Sequence, residues 1–394
     1  IQGPVLCAMG GLNQSGNALN TMEIYNPATE SWSKMKKGMN HSRQGCAVAV
    51  LDGKIYVVGG LDTFENPLAT VEVYDAALDS WTEVTSKMSQ CRYNCGVAVV
   101  DNKLYVVGGL NEYGAALDTM DTYDPAANCW SRVGKAMSQC RQSCGVAELS
   151  GKIYVVGGLN QDGDPLDSME VYDPTSNAWS QGPPMSECRL HFGVAVVLGR
   201  LYVVGGCNQD GVRLNTIEKY SPLNNTWTKV LQPMSQCRQR CGVAVMEDKI
   251  CVIGGLDQYS QIVNTMEIYD PASFKWLEVE RDISPCRCGL AMTFFEPPLA
   301  AQVDATPIST PTHAAPAPAP TADATPAHQP GASASLAPAT AAEPQRAPLP
   351  ELTPAPAPAP PPAPAPAPTP DATAGEAIAA AAGPAGDKVA EAKL

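Results

Sequence analysis

The chain has 394 residues, among them 36 Pro, 33 Gly and 14 Cys, and a formal net charge of −14 at pH 7. Phosphate contacts need Lys and Arg in excess, so this balance argues against a nucleic-acid binder, and no run of about 18 apolar residues is present to span a membrane. All 13 Tyr, 6 Trp, 5 Phe and 14 Cys precede Pro297, whereas 24 of the 36 Pro lie from Pro297 onward, where too little bulky apolar surface remains to offset the entropy of ordering a second globular domain.

The chain starts at Ile1 with no signal-peptide pattern, so its first residues name no compartment. From there to Arg287 the sequence is a repeat. An apolar run ends in paired glycines at Gly10-Gly11, Gly59-Gly60, Gly108-Gly109, Gly157-Gly158, Gly205-Gly206 and Gly254-Gly255, in steps of 49, 49, 49, 48 and 49 residues. A Tyr stands 14 residues after each second Gly (Tyr25, Tyr74, Tyr123, Tyr172, Tyr220, Tyr269), and a Trp seven residues after each Tyr (Trp32, Trp81, Trp130, Trp179, Trp227, Trp276). An Arg comes ten or eleven residues later: Arg43, Arg92, Arg141, Arg189, Arg238 and Arg287.

Each unit reads as four short strands. In the third, GVAVV from Gly96 is a β-branched run, Asp101-Asn102 is a hairpin turn, and KLYVVGG is the second strand. A polar loop leads to TMDTYDP, which alternates with period two, and a turn over Pro125 to Asn128 leads to CWSRV. Such a meander cannot bury both faces alone, but blades stacked radially cover one another, which predicts an all-β propeller. The first unit lacks its first strand, and the sixth copy of that strand stands at Gly289–Phe295. Pairing it with Val5–Gly11 closes a six-bladed ring without an open edge. The expected division is therefore residues 1–296 as propeller and 297–394 as a Pro/Ala-rich disordered tail. Alternating Ala-Pro in that tail favours a polyproline II spacer, since Pro fixes φ and removes donors.

Paired Gly, Tyr-Asp-Pro, Trp, Met-Ser-x-x-Arg and Gly-Val-Ala-Val together resemble the Kelch repeat over residues 1–295, and most of all the Kelch domains of BTB–Kelch proteins. The resemblance implies a non-catalytic module that binds a partner or substrate protein and recruits substrates to cullin-type ubiquitin ligases. A cytoskeletal or scaffold Kelch protein is the alternative. Kelch enzymes also exist, a copper oxidase and iron-dependent specifier proteins among them. The propeller's two His, His41 and His191, fall in different units, and no Glu–Asp–His cluster or Cys-x-x-Cys pair appears. No metal, cofactor or enzymatic activity is expected.

In a meander the turns joining strands one to two and three to four share one face. The long two-to-three loops and the blade-to-blade connections share the other, which is the candidate binding face. The six Arg enter the innermost strands there, and the resemblance implies that some line a pocket for acidic peptides, a carboxylate suiting the guanidinium fork. The two residues after each Arg vary: Gln44-Gly45, Tyr93-Asn94, Gln142-Ser143, Leu190-His191 and Gln239-Arg240, with the sixth unit read as shortened to Cys288. The partner-binding set is thus Arg43, Arg92, Tyr93, Asn94, Arg141, Gln142, Ser143, Arg189, His191, Arg238, Arg240 and Arg287. The loop acids Glu65, Glu112, Asp162, Asp164, Asp210 and Asp257 are placed to pair with the Arg. Cys precedes the Arg at Cys91, Cys140, Cys188, Cys237 and Cys286, and follows it by three at Cys46, Cys95, Cys144 and Cys241. These read as small buried side chains, with thiol sensing beside Arg as the sharper reading. So many thiols fit a reducing compartment, the cytoplasm or also the nucleus.

Overall fold

A computed structural model describes residue 1, residues 3–279 and residues 282–298. Twenty-four strands form six four-stranded antiparallel sheets, with no helix among the described residues. From inside outward, blade 2 is Ala47–Leu51, Lys54–Val58, Val71–Asp75 and Ser80–Glu83. Blade 3 is Gly96–Val100, Lys103–Val107, Met120–Asp124 and Cys129–Arg132, and blade 4 is Gly145–Leu149, Lys152–Val156, Met169–Asp173 and Ala178–Gly182. Blade 5 is Gly193–Val197, Arg200–Val204, Ile217–Ser221 and Thr226–Lys229, and blade 6 is Gly242–Met246, Lys249–Ile253, Met266–Asp270 and Lys275–Val279.

Blade 1 takes its innermost strand, Ala291–Phe295, from the other end of the chain. That strand runs antiparallel to Val5–Met9, with Val5 opposite Phe295 and Met9 opposite Ala291, as the count of strands requires. Met22–Asn26 and Ser31–Lys34 complete the blade. The strand begins two residues later than the sequence suggests, because Gly289 turns aside in the left-handed region at φ +62°. The innermost strands of blades 2, 3, 4, 5, 6 and 1 neighbour one another in that order and close the ring. Of the tail expected over 297–394, residues 299–394 lie outside the described residues.

The core is six clusters, one at each blade interface. Between blades 3 and 4, Ala98, Val100, Tyr105, Val107, Met120 and Met137 meet Val146, Ile153, Val155 and Tyr172. At the seam, Leu6, Ala8 and Met292 meet Cys251, Ile253 and Met266. Both faces of each second strand are thereby covered, which is why IYVV-type runs are buried without alternation. The repeated Tyr and Trp pack as tilted pairs with centroids 5.0–5.4 Å apart. Four indoles also donate to a carbonyl of the preceding blade, as Trp130 Nε1 does to Ser86 at 3.1 Å.

Candidate functional site

The connection entering each blade ends in the repeated Arg, and all six are 0 % exposed. Arg238 shows what they do. Its Nη1 donates to the carbonyls of Gly254 and Thr265, both at 3.0 Å. Its Nη2 and Nε reach Glu267 Oε1 at 2.9 and 3.1 Å. The other carboxylate oxygen of Glu267 accepts from the Ser235 amide at 2.8 Å. These contacts lie within blade 6 and the connection leading into it. The backbone of Arg238 faces the other way, accepting from Gly206 N at 2.8 Å and donating to Leu214 O at 3.1 Å, both in blade 5. Each Arg is thus a staple between consecutive blades. Its acid is Glu72, Asp121, Glu170, Glu218, Glu267 or Glu23.

Arg287 closes the seam. It donates to Gly10 O at 3.0 Å and pairs with Glu23, while its carbonyl accepts from Gly255 N at 3.0 Å. The paired glycines are part of the same device: Gly59 has φ +61°, and a Cβ there would lie 2.1 Å from the Arg92 carbonyl. These placements correct the expectation that Arg43, Arg92, Arg141, Arg189, Arg238 and Arg287 line the binding face. A guanidinium in an apolar ring is stable only with its donors occupied, and the fold occupies them internally. The partnering acids are also not the loop acids. Asp257, for example, accepts from Tyr259 N and Gln261 N in its own loop at 2.8 and 2.9 Å. The acid paired in every blade instead stands two residues before each Tyr, a signal present in the six-fold register, and Arg189 has a second partner in Glu187 at 2.9 Å.

The second residue after each Arg builds the mouth of the central channel. Gly45, Asn94, Ser143, His191, Arg240 and Gly289 all adopt left-handed backbone, φ +52° to +62°. This conformation turns their peptides along the circumference. Asn94 N donates to Gly45 O (2.8 Å), Ser143 N to Asn94 O (2.9 Å), and His191 N to Ser143 O (3.2 Å). Arg240 N donates to His191 O (2.8 Å), Gly289 N to Arg240 O (2.8 Å), and Gly45 N to Gly289 O (3.0 Å). The result is a closed ring of six backbone hydrogen bonds, one per blade. The connection after Arg287, expected to be shortened to Cys288, in fact supplies both positions, Cys288 and Gly289.

The mouth is a hollow of ≈ 130 Å³ whose rim carries Asn94, Ser143, His191 and Arg240. Cys46, Cys95, Cys144, Phe192, Cys241 and Leu290 form the next layer down. Desolvation, and then the charge of Arg240, lower the His191 pKa to about 3, so its imidazole is neutral at pH 7. Arg240 is half-buried, and among the described residues no acid pairs with its guanidinium, unlike Arg238 two residues earlier. It also borders a second hollow of ≈ 510 Å³ toward blade 1, with Leu12, Leu256 and Ile262. The first residues after the Arg, half-buried in blades 2 to 6, Tyr93 and Gln142 among them, and buried at Cys288, bridge through their backbones to the residue after each Gly pair, as Tyr93 does to Leu110. Around the mouth, the long loops hold Phe64, Tyr113 and Tyr259 out at 84 %, 86 % and 74 % exposure.

Burial also decides the thiols. It raises the pKa of Cys46, Cys144 and Cys241 to about 11 and of Cys95 to about 12, outweighing the attraction of the adjacent Arg. It raises Cys91, Cys140, Cys188, Cys237 and Cys286 as well. Among the described residues, no group of three or more His, Cys, Asp or Glu is disposed to hold a metal.

The model of the KLHDC2/KLHL20/DRC7 Kelch-repeats domain matches residues 2–189 and 98–297. The chain belongs to this Kelch-repeat family. Its Kelch propeller superposes on the structure of YjhT with a TM-score of 0.61 over 70 % of this chain and 97 % of that one, at 16 % identity, a likeness of fold. An F-box/kelch-repeat protein of Arabidopsis thaliana, At1g26930, is 38 % identical over 56 residues, 14 % of this chain and 13 % of that relative's length. The Kelch propeller is generally a protein-interaction fold, and the stapled six-blade framework is that fold's repeat.

Proposed function

We propose that this Kelch propeller is a non-catalytic recruiting module that binds a carboxylate-bearing segment of a partner protein at the channel mouth. Arg240 is the principal charge contact, with Tyr93, Asn94, Gln142, Ser143 and His191 around it. In its assembly the module serves as the substrate-recognition part of a cullin-type ubiquitin ligase.

One observation carries the reading. Two blades place Gly at the left-handed mouth position, where it costs nothing, yet three blades place Ser143, His191 and Arg240 there. Left-handed backbone costs a residue with a Cβ roughly 1–2 kcal/mol, and such strain gathers at functional sites. Differing polar side chains on an otherwise uniform framework are what recognition of an asymmetric segment requires. A charge-assisted hydrogen bond contributes about 1.5–3 kcal/mol, so losing the Arg240 contact weakens binding roughly tenfold or more.

The test uses a partner recovered by affinity capture with the full chain, then titrated against purified variants. Arg240→Asn copies the residue of blade 3 at the same backbone position. It is expected to weaken binding at least tenfold at unchanged melting temperature, whereas Lys103→Ala, on the opposite face, has no effect. Binding that survives Arg240→Asn combined with His191→Asn, and fails on opposite-face changes, contradicts the assignment.

A further inference from the structure

The repeat also shows where one blade departs from its siblings outside the mouth. In blades 2, 3 and 4 the Lys opening the second strand pairs with the Asp closing the third: Lys54 with Asp75 at 2.9 Å, Lys103 with Asp124 at 3.2 Å and Lys152 with Asp173 at 3.2 Å. In blade 5 the basic residue is kept as Arg200, but the acid is replaced by Ser221. Two positions along the same strand stands Lys219, cross-strand from Tyr202 and Thr228. The other blades place Ile24, Val73, Thr122, Val171 and Ile268 in that register. One acid is lost and one base gained on a single flank of a chain whose net charge is −14.

The two changes meet in one cleft. A hollow of ≈ 630 Å³ between blades 5 and 6 is lined by Arg200, Lys219 and Lys229 together with Leu231, Tyr269 and Phe274, and by no Asp or Glu among the described residues. Lys219 Nζ lies 5.7 Å from the centre of the Phe274 ring, which holds it at the wall. Leu231 and Phe274 are exposed, as is Leu223 on the neighbouring turn. Blade 5 thus gives up a stabilising pair that three other blades keep, and exposes apolar side chains beside the freed charge.

We infer that this flank is a second docking surface, for a protein segment that alternates acidic and bulky apolar side chains. Its carboxylates meet Arg200 and Lys219, and its apolar residues cover Leu231 and Phe274. Charge complementarity selects the occupant: Arg200 and Lys219, two cations on one sheet face without a facing acid, favour an anionic segment, and the apolar wall gives it affinity beyond a free anion's. The surface is separate from the channel mouth, so the inference stands or falls independently of the reading of Arg240.

The experiment restores the sibling pattern. Ser221→Asp with Lys219→Val installs in blade 5 the residues that blade 2 carries in the same register, so the fold tolerates them. The probe is a fluorescein-labelled octapeptide of alternating Glu and Leu, titrated by anisotropy against the full chain, with an alternating Gln and Leu peptide as the uncharged control. The double variant is expected to bind the Glu-Leu probe at least tenfold more weakly at an unchanged or raised melting temperature, while Arg240→Asn retains that binding, and the Gln-Leu probe binds weakly to both proteins. Equal binding by the double variant and the parent overturns the inference. So does loss of all probe binding on Arg240→Asn, which assigns the probe to the mouth, or inorganic phosphate at millimolar level displacing the probe completely, which reduces the cleft to a simple anion site.

Discussion

Removing Arg238 is the sharpest perturbation of the framework, because Arg240 lies two residues away and is assigned a different role. Arg238→Ala deletes donors to Gly254 O, Thr265 O, Thr265 Oγ1 and Glu267. It leaves the Glu267 carboxylate 1 % exposed with the Ser235 amide as its remaining partner. Breaking a buried ion pair from one side costs about 3–5 kcal/mol, most of it the penalty of the stranded charge. Removing the charge from Arg240, which has no such acid, changes stability by about 0.5 kcal/mol or less. Equilibrium urea unfolding followed by tryptophan fluorescence reads both. The Arg238→Ala midpoint is expected to fall sharply and that of Arg240→Asn to stay. A double variant, Arg238→Met with Glu267→Leu, recovers much of the loss, because the apolar pair strands no charge. Equal midpoints for Arg238→Ala and the parent would refute the staple, and so would a double variant less stable than Arg238→Ala.

The seam, the thiols and His191 each give a further test. Deleting from Gly289 bares the edge of Val5–Met9, so this truncation is expected to unfold at a much lower temperature than one ending after Pro298; equal melting temperatures contradict the closure. The raised thiol pKa values predict slow labelling of Cys46, Cys95, Cys144 and Cys241 by a thiol reagent at pH 7.5 in the native protein and rapid labelling in denaturant; rapid native labelling of this inner layer means the channel wall opens. His191 has a folded pKa of about 3 against about 6.5 in the unfolded chain, so as pH falls from 6.5 the unfolded state takes up a proton that the folded state refuses. Stability present above pH 6.5 is therefore lost as pH falls toward 3, by up to roughly 1.4 kcal/mol per pH unit. His191→Asn is expected to flatten that dependence relative to the parent, and parallel pH profiles refute it.

The architecture was legible because a propeller writes the same constraint six times. Tyr and Trp recur because each blade needs one aromatic pair, and Gly recurs where the Arg carbonyl of the next connection approaches. The strand missing before Val5 and spare after Arg287 gave the closure. The role of the Arg was not legible from its own positions. A basic residue repeated six times on a loop reads equally as surface charge or as a buried staple. The deciding evidence is its partner, the acid two residues before Tyr, which sits on a strand about 29 residues downstream and looks like an ordinary polar position of an alternating strand. The mouth was half legible. Variation after the Arg marked Asn94, Ser143, His191 and Arg240, whereas the left-handed hydrogen-bonded ring that presents them needs three-dimensional contacts between blades, hinted at only by Gly45 and Gly289.

The central claim is that the partner is held at the channel mouth rather than on the face of the short turns. The most direct measurement places a photo-crosslinking phenylalanine analogue at Tyr93, beside the mouth, or at Lys103, in a short turn of the same blade, and irradiates each with the captured partner. Crosslinking from position 93, abolished by Arg240→Asn, and none from position 103 is the predicted result. Crosslinking from position 103 with none from position 93 would contradict the account.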